Sequence, residues 1–506
     1  MDKYKELFDR LTALLDSNPA EAVKQVKEID LPRPIDEFYN LQVVRAAILV
    51  DGGALTQQQD AIEDGITLFR ELYNKFPTAF LAYNLANGLA AAIGSPPRDD
   101  SWLDHMESSR ERRAEARKYY WKVTQDKKAD VKLQTQAWTN LANLFSSSRR
   151  FGEAQDGWHA ALVIDPKNGV AASSAARNLQ WLCTCGGGTD LTCIEIRMLA
   201  QIANQNRDRV TQYVGSTVTE KIIAFTSTLQ GPPPRLKPKD PFIRWVEDER
   251  LALAPTIGLI DPTMDKLDWL MLSAIREREP KEGGTPPPIF AMFNTLKSDF
   301  ILARDLLWRA MDENIWPRTG RFGDTLDYAA YGPDVSALIL AHRTALDLLD
   351  KIAVVANYHF ELGQSSNNVC FGKLWRKKLG KTPDRYPLTE RVEKVIREGT
   401  SALYGLVELA DDYASQSGIL HSQKDIRNAG THRFVVLHDV DDLTQSRRSL
   451  AIKHFQRESF IYEVLCVLRI ARSAIQMLAF SISQYEQILI QKTSVRVVPL
   501  IVPDYD

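Results

Sequence analysis

The sequence predicts an all-α protein in which an N-terminal array of helical pairs, an α-solenoid, precedes a C-terminal helical bundle. Three observations favour this class. A helix–turn–helix pattern recurs before residue 230, apolar residues at three- and four-residue spacing form long stripes after residue 289, and Pro- and Gly-rich stretches separate the two regions. Because 506 residues exceed one ordinary hydrophobic core, we expect two or three domains.

The composition is that of a soluble globular protein, with 44% hydrophobic and 25% charged residues. The formal net charge is -2, so any contact with nucleic acid depends on a local basic patch. The first ten residues are charged and lack the apolar stretch of a secretory signal, so we expect the five cysteines to be reduced thiols in the cytoplasm. Arg469 and Arg472 interrupt the apolar stretch 461–490, which favours a buried helix over a membrane span.

The clearest repeat lies between Thr135 and Leu179. Its small residues allow two antiparallel helices to approach closely, its large apolar residues fill the space between helices, and a proline ends the second helix. The residues that form this pattern are Trp138, Asn140-Leu141-Ala142, Phe145, Ala154, Trp158, Ala161 and Pro166. They resemble the tetratricopeptide (TPR) repeat, and Asn84-Leu85-Ala86 echoes its first helix. We therefore predict a TPR-like α-solenoid over residues 1–230, whose groove binds a peptide or protein segment or serves only as a scaffold.

A short connector is predicted over residues 231–288, between the Pro-rich segments 231–234 and 280–288. Just before it, Cys183, Cys185 and Cys193 lie close together. Their spacing is not a common zinc spacing and no histidine is near, so a Gly-rich turn with small thiols is favoured over a metal site.

A helical bundle is predicted over residues 289–495. Apolar stripes indicate one helix around 293–307 and a second over 335–360, which begins after the start signal Gly332-Pro333-Asp334. A third helix is predicted from Thr389 to about Tyr413, and a last one from about Ser446 to Ile490. Four or more helices of this kind form a compact bundle.

The segment before the predicted last helix carries the candidate chemistry. It reads Arg427-Asn428-Ala429-Gly430-Thr431-His432-Arg433. This resembles the signature of the HEPN superfamily, in which an Arg, an adjacent polar residue and a His four to six residues after the Arg form the active site. The stretches 293–307 and 348–353 resemble the first two helices of a bacterial HEPN branch that carries N-terminal TPR repeats.

Two other Arg–His pairs have a similar spacing. Arg433 with His438 has the same spacing, and Arg448 with His454 fits its looser form. We prefer Arg427 because it alone is followed by the polar Asn428, and because Gly430 relaxes the backbone where catalytic groups must converge.

The resemblance implies a metal-independent endoribonuclease with no cofactor, active as a homodimer in which two motifs meet across a two-fold interface. In such an enzyme the RNA 2′-hydroxyl attacks the adjacent phosphate. His432 would shuttle the proton near neutral pH, Arg427 would hold the phosphate oxygens, and Asn428 would orient the His or bind the phosphate. Relatives of this kind act in bacterial toxin and antiphage systems, so tRNA or mRNA is the expected substrate.

Weaker candidates for RNA binding are Arg433 and the run Trp375-Arg376-Lys377-Lys378, in which a base would stack on Trp375; the alternative is a solvated helix face. His438 with Asp439 is either a second acid–base pair or, as we favour, the end of a helix. His342 and His359 are predicted to be structural or interfacial.

A second hypothesis for the whole protein remains: a non-catalytic scaffold whose array binds a protein and whose bundle only dimerises or binds a nucleotide.

Overall fold

The computed structural model describes residues 2–29, 39–185, 188, 190–227, 240–255, 267–272, 274–276, 287–312, 315–316, 320–378, 386–415, 418–420, 434–440, 451–492 and 497–498. Helices dominate these residues and the strands are few and short, which confirms the predicted all-α class. The chain divides into two compact units. One comprises Met1–Leu144 and Ala160–Pro166, and the other comprises Phe145–His159 and Lys167–Asp506. The predicted domain limits at residues 230 and 288 stay a prediction.

The first unit is built from successive helices that pack side by side along the chain. Their bounds are Asp2–Ser17 (α1), Pro19–Glu28 (α2), Tyr39–Thr56 (α3), Gln59–Lys75 (α4), Ala79–Ile93 (α5), Trp102–Ser108 (α6) and Arg110–Gln125 (α7). Helix α8, Val131–Ser147, belongs to this unit up to Leu144. Side-chain caps set two of the starts, since Thr78 accepts from the Leu81 N–H ahead of α5 and Asn18 accepts from the Glu21 N–H ahead of α2.

Of the predicted repeat residues in α5, Leu85 and Ala86 lie in the core of this unit, whereas Asn84 is half-buried. Leu85, Ala86 and Leu89 are buried. Near them, the Tyr120 hydroxyl donates to Asn87 at 2.7 Å, and the Asn140 amide donates to the same Asn87 oxygen at 3.2 Å. Helices α5 and α7 pack against each other, and the assignment of these helices to TPR repeats stays a prediction.

The second unit holds the remaining helices, except that residues 160–164 at the end of the first of them belong to the first unit. They are Phe151–Ile164 (α9), Gly169–Thr184 (α10), Asp190–Gln205 (α11), Arg207–Thr226 (α12), Pro241–Asp248 (α13), Pro288–Ala310 (α14), Pro333–His359 (α15), Glu390–Arg397 (α16), Leu403–Ala414 (α17) and Arg457–Lys492 (α18). Helices α14, α15, α17 and α18 pack as a bundle, with α18 in contact with each of the other three. This arrangement confirms the two helices predicted around 293–307 and 335–360.

The predicted third helix is wrong as a single element. It is two helices, α16 and α17, which are separated at Gly399. The backbone of Gly399 has a φ of 117°, a conformation that favours glycine and that ends a helix. The signal was therefore present in the sequence, but the apolar stripe on either side of it concealed the break.

The predicted last helix begins too early. Helix α18 starts at Arg457, and the residues before it form a strand, Ile452–Gln456 (β4). A second strand, Phe434–His438 (β3), lies where we expected a helix end at His438. Both segments contain aromatic and β-branched residues, which suit a pleated surface better than a helix.

Strand β3 lies at the centre of a small sheet. It pairs in parallel with β4, with Phe434 opposite Ile452 and His438 opposite Gln456. On its other edge it pairs antiparallel with a two-residue strand, Ala329–Ala330 (β2), with Ala329 opposite His438. Elsewhere, Ile275–Arg276 (β1) pairs antiparallel with Val497–Val498 (β5).

Helix α18 is the one described helix that is long and apolar enough to cross a membrane. Of its most apolar 18-residue stretch, 83% is buried inside the protein. The apolar residues of α18 lie in the core of the bundle. Arg472 of α18 is also buried and forms an ion pair with Asp156. This burial is typical of a core helix.

Candidate functional site

The predicted catalytic motif lies outside the described residues. Arg427, Asn428, His432 and Arg433 all fall in the interval 421–433. In the chain this interval is followed directly by β3, which begins at Phe434. Two candidate regions lie within the described residues: the small sheet that follows the motif, and the basic run around residue 376.

Two residues of the basic run are structural. Trp375 is only 1% exposed and packs edge-on against Phe371, so its ring has no open face on which an RNA base could stack. Arg376 makes two hydrogen bonds of 2.7 Å to the carboxylate of Asp411 and donates to the Tyr386 carbonyl at 3.0 Å. The predicted base stacking on Trp375 is thus overturned by burial.

The other two residues of this run face solvent. Lys377 and Lys378 are exposed, next to the equally exposed Lys373. They form a small cationic surface that an RNA phosphate backbone could contact. The prediction that these lysines bind RNA stays a prediction.

Two histidines meet on one face of the small sheet. His438 ends β3 and His454 lies in β4. Val436 is paired with His454, so their side chains lie on the same face of the sheet. His438 is two residues after Val436 in the same strand and therefore shares that face. Nε2 of His438 is 2.8 Å from Nδ1 of His454. Nδ1 of His438 is 2.9 Å from the backbone oxygen of Asp327.

These contacts fix the proton positions of the neutral pair. A carbonyl oxygen only accepts, so Nδ1 of His438 donates to Asp327. Nε2 of neutral His438 then carries the lone pair and accepts from Nδ1 of His454. In this state Nε2 of His454 is an unprotonated nitrogen, and it is buried with no hydrogen-bond partner in the described part of the chain. His438 is itself fully buried, whereas His454 and Asp327 are partly exposed.

The Asp327 side chain completes a cluster of three ligand-type groups. Its carboxylate and one ring nitrogen from each histidine lie within 4.8 Å of one another. A hydrogen bond of 2.5 Å from the Thr325 hydroxyl lowers the pKa of Asp327, and proximity to His438 lowers it further. The sequence analysis did not predict this cluster. It placed His438 and His454 in alternative Arg–His pairs, placed His438 also beside Asp439, and gave Asp327 no role.

The two histidines of α15, which we predicted to be structural or interfacial, are both buried. His342 is buried against the ring of Phe460. His359 is buried with its Nε2 3.2 Å from Oε1 of Glu486. Burial raises the pKa of Glu486, but hydrogen bonds from His359 and from the backbone and side chain of Arg276 outweigh it and bring the pKa to about 2.

One family comparison covers this half of the chain. Residues 280–485 match the family model of the LA2681-like HEPN domain. The match spans about two fifths of the chain and includes the motif interval, β3, β4 and most of α18. It supports a HEPN-superfamily domain in the C-terminal half. HEPN domains are in general ribonucleases, so a nuclease-type function is supported at that coarse level. No curated protein matches the chain.

Proposed function

We propose that the protein is a metal-independent endoribonuclease of the HEPN type, with Arg427, Asn428 and His432 as its catalytic residues. The observation that carries this proposal is the LA2681-like HEPN match over residues 280–485, which encloses the Arg427-Asn428 pair and His432 at the spacing of the superfamily signature. The small sheet adds support, because β3 begins immediately after Arg433 and so ties the end of the motif to the fold.

The three side chains supply what cleavage by an internal 2′-hydroxyl needs. His432 has an ordinary reference pKa of about 6.5, so it can accept and return a proton near neutral pH. Arg427 stays charged and can hold two phosphate oxygens as negative charge builds up on the phosphorane-like transition state. Asn428 orients the His or hydrogen-bonds the phosphate. The expected products are a cyclic phosphate and a 5′-hydroxyl end.

The active form is proposed to be a homodimer. Two motifs that meet across a two-fold axis would place four charged or titratable groups in one composite cleft. Lys377, Lys378 and Arg433 are proposed to contact the RNA backbone near it; for the two lysines, their exposure supports this role.

The N-terminal array is proposed to sense a signal or to bind a protein or peptide partner. On this proposal the enzyme acts in the cytoplasm on tRNA or mRNA in a toxin or antiphage role, with the array restraining or triggering the C-terminal domain. The helical pairs of the first unit support the array architecture on which this role depends.

The experiment compares four full-length proteins: wild type, Arg427→Ala, His432→Ala and, as a matched control from the same interval, His421→Ala. Each is induced in a bacterial host and also incubated, after purification, with total RNA without added divalent cations. We expect wild type and His421→Ala to cut a discrete RNA and leave cyclic-phosphate ends, and the two motif variants to lose at least about 100-fold in rate. Equal cleavage by His432→Ala and wild type would contradict the assignment.

The alternative function is a non-catalytic scaffold. It predicts intact RNA and normal growth with all four proteins, together with a specific protein partner that Asn140→Ala weakens. Because Asn140 donates to Tyr83 and Asn87 inside the first unit, that variant must first be shown to fold by circular dichroism.

A further inference from the structure

Three chain segments that are distant in sequence bring ligand-type side chains together at the small sheet. Asp327 precedes β2, His438 ends β3 and His454 lies within β4, and their ligand atoms lie within 4.8 Å of one another. We propose that these three residues bind one divalent transition-metal ion of the zinc class. The proposal does not depend on the ribonuclease chemistry.

His438 is oriented as a metal-binding histidine is. In most metal-bound histidines, the N–H of the second ring nitrogen donates a hydrogen bond to a carboxylate or a backbone carbonyl, and this bond fixes the tautomer. Here Nδ1 of His438 is held 2.9 Å from the Asp327 carbonyl oxygen, so Nε2 carries the lone pair and is directed at His454. The burial of His438 keeps its ring in this orientation without competition from water.

The spacing of the two imidazoles is close to that of two ligands on one ion. Nitrogens that bind a tetrahedral zinc at about 2.0–2.1 Å lie about 3.4 Å from each other. The present distance from Nε2 of His438 to Nδ1 of His454 is 2.8 Å. An increase of roughly half an ångström therefore admits the ion. The proton that Nδ1 of His454 shares with His438 moves to the unprotonated Nε2 of His454, and the two nitrogen–zinc bonds replace the hydrogen bond between the rings.

Asp327 supplies a third ligand, and the site is open to solvent next to it. Its carboxylate is near the rings and partly exposed, so a water molecule can complete a four-coordinate site. Two imidazoles with one carboxylate suit zinc and its neighbours, whereas magnesium and calcium prefer ligand sets made of oxygen. The donor set therefore selects the class of ion.

The surrounding fold gives such an ion a structural role. The sheet consists of a two-residue strand and two five-residue strands, which is near the lower limit for an independently stable sheet. An ion bound by Asp327, His438 and His454 would cross-link all three strand segments. It would also fix the strand that follows the proposed catalytic interval.

Metal binding by the full chain tests the proposal. Protein stripped with a chelator and then dialysed is titrated with zinc chloride against a chromophoric competitor, and bound zinc is measured by mass spectrometry. We expect one tightly bound zinc per chain in the wild type. Asp327→Asn and His454→Gln should each weaken binding at least about 10-fold, while the control Asp324→Asn, an exposed residue of the same loop, should bind like the wild type.

Two outcomes would overturn the proposal. One is the absence of tight zinc binding by the folded wild type. The other is zinc that is retained by Asp327→Asn and His454→Gln but lost in Cys193→Ser, which would place the ion at the cysteine segment. Binding of cobalt gives a second measurement, since a four-coordinate site with nitrogen ligands produces visible absorption that the Asp327→Asn and His454→Gln variants should lack.

Discussion

Arg150 offers the sharpest test of how the second unit is stabilised. It lies between α8 and α9, directly before Phe151, and its side chain is fully buried. The guanidinium makes hydrogen bonds of 2.7 and 2.6 Å to the Glu153 carboxylate and contacts the Asp412 carboxylate of α17, with Glu408 3.7 Å away. Burial lowers the pKa of Arg150, but the surrounding carboxylates outweigh it and hold the pKa above its usual value.

Arg150→Met keeps most of the apolar stem and removes the charge. Asp412 and Glu408 are almost fully buried, so each would lose a cation that solvent cannot replace. Breaking a buried ion pair by removal of one partner costs about 3–5 kcal/mol. Arg397→Met is the matched control, because Arg397 pairs with Glu393 at 2.9 Å on an exposed surface, where a pair contributes about 0–1 kcal/mol.

Hydrogen exchange is the suitable assay, since a chain with two compact units has no single free energy of unfolding. We expect peptides from Leu403–Ala414 to lose about 3–5 kcal/mol of opening free energy in Arg150→Met and less than about 1 kcal/mol in Arg397→Met. Adding Asp412→Leu to Arg150→Met should restore part of the loss, because it removes a carboxylate left without its cation. Equal, small losses in both single variants would refute the reasoning.

Two further predictions concern α17 and α18. The pKa of Glu486 is about 2 in the folded protein against 4.5 ordinarily, so its stabilisation is fully present above about pH 4.5 and is lost as the pH falls towards 2. Glu486→Gln should flatten the dependence on pH of the opening free energy that hydrogen exchange gives for peptides of α18 in that window, and an unchanged dependence would contradict the assignment. A Cβ at Gly405 would lie 2.5 Å from the Arg149 carbonyl oxygen, so Gly405→Ala should lower the opening free energy of the bundle by about 1–3 kcal/mol in hydrogen exchange. Gly323→Ala, in open space, should change it little.

Local sequence signals were sufficient for the long helices. The apolar stripe from Phe293 to Leu307 and the start signal at Gly332-Pro333 specify α14 and α15, because a 3.6-residue periodicity over several turns has no competing interpretation. Gly399 also determines a helix end. This end is hard to predict, because the apolar pattern continues on both sides of the glycine.

The short strands were not predictable in the same way. The run Phe434 to Leu437 is too short to distinguish a strand from a buried helix turn by periodicity. Its assignment depends on parallel pairing with β4 and on a two-residue partner in β2, which lies about a hundred residues earlier. Such pairing is a property of the assembled fold.

The sequence by itself determined the helical class, the bundle helices and the chemistry available in the Arg427–His432 interval, since these depend on residue type and near-neighbour spacing. Tertiary structure decided which side chains can act. It buried Trp375, paired Arg376 with Asp411, and brought His438 and His454 to a carboxylate 111 residues away from the first of them. Burial and proximity depend on contacts between residues that are far apart in the chain, and no local pattern encodes them.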